Sequence, residues 1–181
     1  MLIEQADLDQ SRSTLEVGCG TGNLSILASR LHPSIEMVGV DPDLRALARA
    51  KRKAGPSSTV RFDHGYAQEL PYPEASFDRV LSAFMFHHLD AGVKAQMLRE
   101  TLRVLKPEGR LYLVDFGGRV SSSDGLMARL QLRSDKLRDN MGERILELLR
   151  AAGFPAPEES IQRKTRVGPV TYYQATRSSA R

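Results

Sequence analysis

Within five consecutive positions the chain places three glycines, Gly18-Cys19-Gly20-Thr21-Gly22, directly after the short β-rich run Thr14–Val17 and directly before a helical pattern. Glycine has no β-carbon, so the backbone can turn sharply there and approach a bound group closely. A helix starting at such a turn leaves its first N–H groups without partners inside the helix. The junction therefore points to an α/β fold. In open sheets of that class a ligand sits beyond the carboxyl ends of the strands, where the strand order reverses.

The rest of the chain keeps the alternation. Leu24, Leu27, Ala28 and Leu31 recur at helical spacing over Gly22–Leu31, and Pro33 closes that helix. Ile35–Val40 reads as a second strand ending at Asp41, Pro42 stands where a helix begins, and Asp43–Ala54 continues to Gly55-Pro56. Val60–Asp63 is a third strand, Gly65–Ser76 a loop and Phe77–Ala83 a fourth strand. Asp90 caps a helix over Ala91–Leu105, Pro107-Glu108-Gly109 is a turn and Arg110–Phe116 a fifth strand. Beyond the Gly/Ser-rich connection Gly117–Asp124, helices are expected at Leu126–Leu137 and Glu143–Ala152. Two strands then follow, Glu159–Thr165 and Thr171–Thr176, around Val167-Gly168-Pro169. Repeated β-α units predict a parallel sheet with helices on both faces. The last two strands, with no helix between them, predict an antiparallel hairpin at one edge. With no repeat or linker, the 181 residues read as a single domain.

Composition excludes several classes. No apolar run approaches the roughly 20 residues a membrane span requires. MLIEQADLDQSRS lacks the basic start and apolar stretch of a signal peptide, so the chain is read as cytoplasmic. Cys19 is the single cysteine, which excludes an intramolecular disulfide and an all-cysteine metal site; no metal is expected. The net charge is +4, but the basic residues are spread over Arg45–Lys53, Arg129–Arg138 and Arg163–Arg181. Each group reads as a solvated face or a tail rather than a nucleic-acid groove. A small molecule is the expected partner.

Asp41 narrows the ligand. It stands about 20 residues after the glycine turn, at the end of the second strand, where a carboxylate can accept hydrogen bonds from both hydroxyls of a ribose. Two adenosine cofactors compete for such a site. The dinucleotide fingerprint G-x-G-x-x-G carries its third glycine where this chain has Asn23. S-adenosylmethionine has no phosphate and bears a cationic sulfonium, and Glu16, just before the first glycine, suits a cation better than a pyrophosphate. These two residues, and the lack of a Tyr-x-x-x-Lys pair, set aside a nicotinamide-dependent oxidoreductase.

From Ser13 to Phe116 the chain closely resembles the class I S-adenosylmethionine-dependent methyltransferases. It is most similar to the small-molecule branch that includes ubiquinone and menaquinone biosynthesis enzymes (methyltransferase type 11). The blocks LEVGCGTGNLS, VGVDPD, GYAQELPYPEASFDRV, SAFMFHHL and LRVLKPEGRLYLVD carry the likeness in order and spacing. The resemblance implies a Rossmann-like, seven-stranded, mostly parallel sheet of order 3-2-1-4-5-7-6, strand 7 antiparallel, with S-adenosylmethionine bound and S-adenosylhomocysteine as product. It implies that Glu16, Gly18, Cys19, Gly20, Gly22 and Asn23 surround the methionine part, Asp41 holds the ribose and Pro42 lies near the adenine. Gly65, Tyr66 and Ala67 would border the adenine from the loop after strand three. Phe84 and Met85, at the end of strand four, would face the methionine amino group.

The sequence departs from the family pattern at two places. Tyr66 stands where relatives usually have the aspartate that accepts from the adenine amino group. Only about a dozen residues precede the first strand, where relatives usually carry covering helices; the expectation is an open site, a site closed by a partner or a second copy of the chain, or a shortened form of the family chain.

Methyl transfer is an in-line displacement, and holding the two reactants in line supplies much of the rate. If the acceptor must lose a proton, His87 and His88, just after strand four, are the candidate bases. Tyr66, Tyr72 and Phe86 are candidates for lining an acceptor pocket. SAFM at the end of strand four is not the tetrad used on nucleobase amines. Asp115 alone supplies no carboxylate cluster for metal-dependent catechol methylation. The alternative to turnover is a module that binds the cofactor without transferring its methyl group, or one that needs a partner.

Overall fold

The computed structural model describes residues 2–56, 58–118, 140, 142–165 and 168–179. Its strands are β1 (Ser13–Val17), β2 (Glu36–Asp41), β3 (Arg61–His64), β4 (Phe77–Ala83), β5 (Leu105–Phe116), β6 (Glu158–Thr165) and β7 (Gly168–Thr176). The described α-helices are α1 (Leu2–Gln5), α2 (Asn23–Leu31), α3 (Leu44–Ala54), α4 (Ala91–Val104) and α5 (Arg144–Ala152).

Side chains alternate across each strand, and that alternation assigns the helices to the two faces. Leu15 and Val17 of β1, Val38 and Val40 of β2, Val80 of β4 and Leu111 and Leu113 of β5 pack with Met97 and Leu98 of α4 and Ile145 and Leu149 of α5. On the opposite face Met37, Leu81, Tyr112 and Val114 pack with Leu2 and Ile3 of α1 and Ala28 of α2. Cys19, Ile26, Leu47, Ala50 and Phe62 form a smaller cluster linking α2 and α3 to β3. Fully burying a side chain of this size stabilises by about 1.5–3 kcal/mol.

The seven strands run in the order β3-β2-β1-β4-β5-β7-β6, with β7 antiparallel to both of its neighbours. This is the expected Rossmann-like sheet. Its order reverses between β1 and β4, which pair in parallel through Leu15 and Val80. The ends of β1, β2 and β4 therefore meet at one crevice.

The structure corrects the sequence reading in three places. The turn expected at Pro107-Glu108-Gly109 lies inside β5: the pairing with β4 jumps from Phe77↔Leu105 to Arg79↔Arg110. The bulge is held by Arg177, whose N–H donates to the Gly109 carbonyl at 2.8 Å and whose carbonyl accepts from Glu108 N at 3.0 Å. Second, the segment before β1 is structured: α1 and a 3-10 turn at Leu8–Gln10 bury Leu2, Ile3, Ala6 and Leu8. Arg79 Nε, from β4, donates to the Ala6 carbonyl at 3.1 Å. Third, Asp43 is not helical; it caps α3, its side chain accepting from Arg45 N and Ala46 N. The helix expected at Leu126–Leu137, most of the connection Gly117–Asp124 and Val167 lie outside the described residues.

Candidate active site

The glycine turn leaves β1 and is pinned to the neighbouring strand: Gly18 N and Cys19 N both donate to the Val40 carbonyl, at 2.8 and 3.1 Å. Gly18 has φ +75°, and a β-carbon there would lie 2.3 Å from Met85 Cγ. Gly22 also has φ +75°, and a β-carbon there would meet the Phe62 ring at 2.7 Å. The close helix–sheet packing that the last glycine of a dinucleotide site provides is supplied here by Gly22. Asn23 is thus free for another role, and its Oδ1 accepts from Lys53 Nζ at 2.6 Å.

Beyond this turn lies a cavity of ≈ 330 Å³. Val17, Val40, Pro42, Leu89 and Val93 form apolar walls, and Gly65, Tyr66, Ala67 and Gln68 form one rim. Gly18, Asp41, Met85, His88 and Asp90 complete it. Among the residues expected from the sequence, Gly18, Asp41, Pro42, Gly65, Tyr66, Ala67, Met85 and His88 therefore meet at one cavity. Val17, Val40, Gln68, Leu89, Asp90 and Val93 were not anticipated; their signal was only a place next to strand ends.

Asp41 is held by the backbone around it. Its Oδ2 accepts from Gly20 N at 2.8 Å and its Oδ1 from Asp43 N at 2.9 Å. Each oxygen keeps a second lone pair for a ligand hydroxyl. Tyr66 projects from the rim, 50% exposed, with its ring edge-on to His64 at 5.6 Å.

Other expected residues sit apart from the cavity wall. Glu16 is 3% exposed and accepts from the hydroxyl of Ser25 on α2. Burial pushes its carboxyl up to about 8, against the opposing pull of the Ser25 hydrogen bonds. Cys19 is buried in the α2–α3 cluster, where burial, chiefly, with Glu16 and Asp41 nearby, raises its thiol well above the usual range. Tyr72 and Phe86, read as candidates for an acceptor pocket, are core residues instead. Tyr72 donates from its hydroxyl to Asp63 Oδ2 at 3.1 Å, and Phe86 is fully buried with Lys94 Nζ 5.5 Å from its ring centre.

The cavity fits the cofactor read from the sequence: apolar walls suit an adenine ring, and a carboxylate at the end of β2 suits a ribose. The comparisons with known proteins decide the family. Residues 14–109 match the methyltransferase domain family. The demethylmenaquinone methyltransferase of Deinococcus radiodurans is 36% identical over 171 residues, covering 91% of this chain and 70% of that protein. The chain belongs to the S-adenosylmethionine-dependent methyltransferases. A second relative, the demethylmenaquinone methyltransferase of Thermus thermophilus, is 34% identical over 152 residues, covering 80% of this chain and 68% of that protein. The crystal structure of YcgJ from Bacillus subtilis shares the fold, with a TM-score of 0.78 at 20% identity, covering 99% of this chain and 97% of that one. In such a methyltransferase the bound cofactor supplies a methyl group made electrophilic by its sulfonium, and the protein must align an acceptor with it.

The methyltransferase presents a second cluster on the β4–β5 side of the same crevice. After β4 the chain passes through Phe84 and Met85 into a 3-10 turn, Phe86–His88. Phe84 adopts φ +52°, which a residue with a β-carbon rarely takes, and its ring is 46% exposed. It lies against Phe116, with ring centres 5.6 Å apart. His87 does not line the cavity. Its Nδ1 is 2.6 Å from Oδ1 of Asp115, a fully buried residue near the end of β5. Asp115 was read from the sequence only as too little for a metal site.

Proposed function

We propose that this methyltransferase transfers the methyl group to a small, flat, quinone-type aromatic acceptor. The observation that carries this reading is that Met85, which lines the Asp41 cavity, is preceded by Phe84, whose exposed side chain rests against the partly buried Phe116. The names of two relatives, each covered over more than two thirds of its length, support the quinone class. The reading places the work in the cytoplasm, on a small molecule rather than nucleic acid; no described helix is long and apolar enough to cross a membrane.

Asp41, Pro42, Ala67 and Met85 would hold the cofactor, and the acceptor would enter from the Phe84 side. Incubation with methyl-labelled S-adenosylmethionine and a short-chain demethylmenaquinol tests this. Label should pass to the quinol. Tight binding of S-adenosylhomocysteine with no transfer to that quinol or to simpler dihydroxynaphthalenes would overturn the acceptor class and leave the cofactor site standing.

A further inference from the structure

The second cluster is built more elaborately than packing requires. Asp115 is 0% exposed, yet its carboxylate accepts three hydrogen bonds: His87 N to Oδ2 at 3.0 Å, Phe116 N to Oδ1 at 2.6 Å, and the His87 ring at 2.6 Å. A carboxylate already satisfied by backbone amides accepts but does not donate, so the proton of this pair sits on His87 Nδ1. That leaves Nε2 with its lone pair, and among the described residues nothing is bonded to it. The ring itself is clamped, against His88 at 3.9 Å and edge-on to Phe116 at 5.1 Å. His88 lines the cofactor cavity, and Phe116 lies against Phe84, so a row of rings leads from the cavity to the surface. The Phe116 backbone is fixed from behind, because Asn140 Nδ2 donates to its carbonyl at 3.2 Å while Asn140 Oδ1 accepts from the buried Lys94.

Phe84 is the other unusual feature. Its left-handed backbone is strained for a bulky side chain, and such strain persists where the surroundings impose it, often at ligand sites. Here it turns a large ring outward, onto Phe116, where core packing gives no reason for it.

We propose that Asp115 is a positioning residue that fixes His87 as the proton acceptor for a planar aromatic acceptor bearing an acidic hydroxyl, held against Phe84 and Phe116. This rests on the methyl-transfer reading above and adds the residues that prepare the acceptor. In the proton step the acceptor O–H bond breaks, an N–H bond forms at His87 Nε2, and the electron pair stays on the acceptor. The resulting imidazolium is paired with the buried Asp115 carboxylate, which takes no proton itself. That pair, delocalised over oxygen and ring, would then be available to form the bond to the cofactor's methyl carbon as the methyl–sulfur bond breaks and sulfur keeps its electrons; a ring-carbon acceptor would then lose its own hydrogen to water, and His87 would likewise return its proton to water. The pair has the same logic as other buried carboxylate–imidazole couples, in which the acid sets tautomer and orientation.

The test uses 1-naphthol as probe and 15N-labelled full-length protein. Side-chain nitrogen spectra of the free protein should show His87 with its proton on Nδ1 and Nε2 bare. Naphthol added to the S-adenosylhomocysteine-loaded protein should shift Nε2. Asp115→Leu should abolish the single tautomer and weaken naphthol binding tenfold or more, with S-adenosylhomocysteine affinity within twofold of the original. Phe84→Gly should weaken naphthol as much while keeping the tautomer, so the proposal stays testable if Asp115→Leu fails to fold. A proton on Nε2 in the original protein, no shift of His87 on naphthol addition, or equal naphthol affinity in Phe84→Gly would each overturn it. Absence of S-adenosylhomocysteine binding would instead count against the methyltransferase site, and the tautomer, read on the free protein, would still decide the role of Asp115.

Discussion

The two sides of the crevice each place an aspartate at the carboxyl end of a strand, and they use it differently. On the β2 side Asp41 is half-buried, accepts from two backbone amides and faces the cavity. On the β5 side Asp115 is fully buried and its oxygens serve two backbone amides and an imidazole. Exposure separates the roles. A carboxylate that keeps lone pairs toward solvent can take a ligand hydroxyl, whereas one enclosed by the protein acts only through the side chain it holds. Glu16 makes a third case, enclosed like Asp115 but, among the described residues, hydrogen-bonded to Ser25 alone.

That third case gives the largest expected effect. The Glu16 carboxyl is pushed up to about 8 in the folded protein from an ordinary value of 4.5. Between these values the unfolded chain is ionised and the folded one protonated, so the unfolded state binds fewer protons and stability falls as pH rises, by roughly 1.4 kcal/mol per unit. Glu16→Gln removes the titration. Urea unfolding at pH 5 and pH 8 should show the variant gaining several kcal/mol on the original protein across that interval. Parallel pH dependence of the two proteins would mean that Glu16 is already ionised and paired in the fold.

Next in size is the contrast between the aspartates themselves. Hydrogen bonds to a charged group contribute about 1.5–3 kcal/mol each. Asp41→Ala should therefore weaken S-adenosylhomocysteine about 100-fold by calorimetry if it holds both ribose hydroxyls at the lower end of that range. Replacement of Asp115 should leave that affinity unchanged. Equal losses from the two replacements would erase the distinction drawn from their exposure.

The Asp41 side was legible in the sequence because its parts are local: a strand, three glycines in five positions and an acid at a set distance. The β-α alternation and the terminal hairpin showed a mostly parallel sheet with an antiparallel edge, whereas the strand order came only from the family resemblance. The Asp115 side was not legible. Its meaning depends on the β4–β5 register, in which Ala83 pairs with Val114, bringing the residue after Val114 to the turn that carries His87. Residues 87 and 115 have no spacing rule that joins them. The β5 bulge was hidden for a related reason, because Pro107-Glu108-Gly109 has the composition of a turn and only the return of Arg177 makes it part of a strand. The buried α1 was missed because four residues are too few to show helical periodicity.

The smallest effect distinguishes a ring kept for folding from one kept for a ligand. A non-glycine residue in the left-handed region costs about 1–2 kcal/mol relative to an ordinary conformation, and glycine escapes that cost. Phe84→Gly relieves it but gives up the contact with Phe116, half of which is open to water, and adds backbone freedom to the unfolded chain. These terms nearly cancel, so the variant should stay within about 1 kcal/mol of the original protein in urea unfolding. Near-unchanged stability joined to a loss of aromatic binding is what a residue strained for function gives. A loss of 2 kcal/mol or more, the scale of emptying a packed site, would show that Phe84 serves the fold.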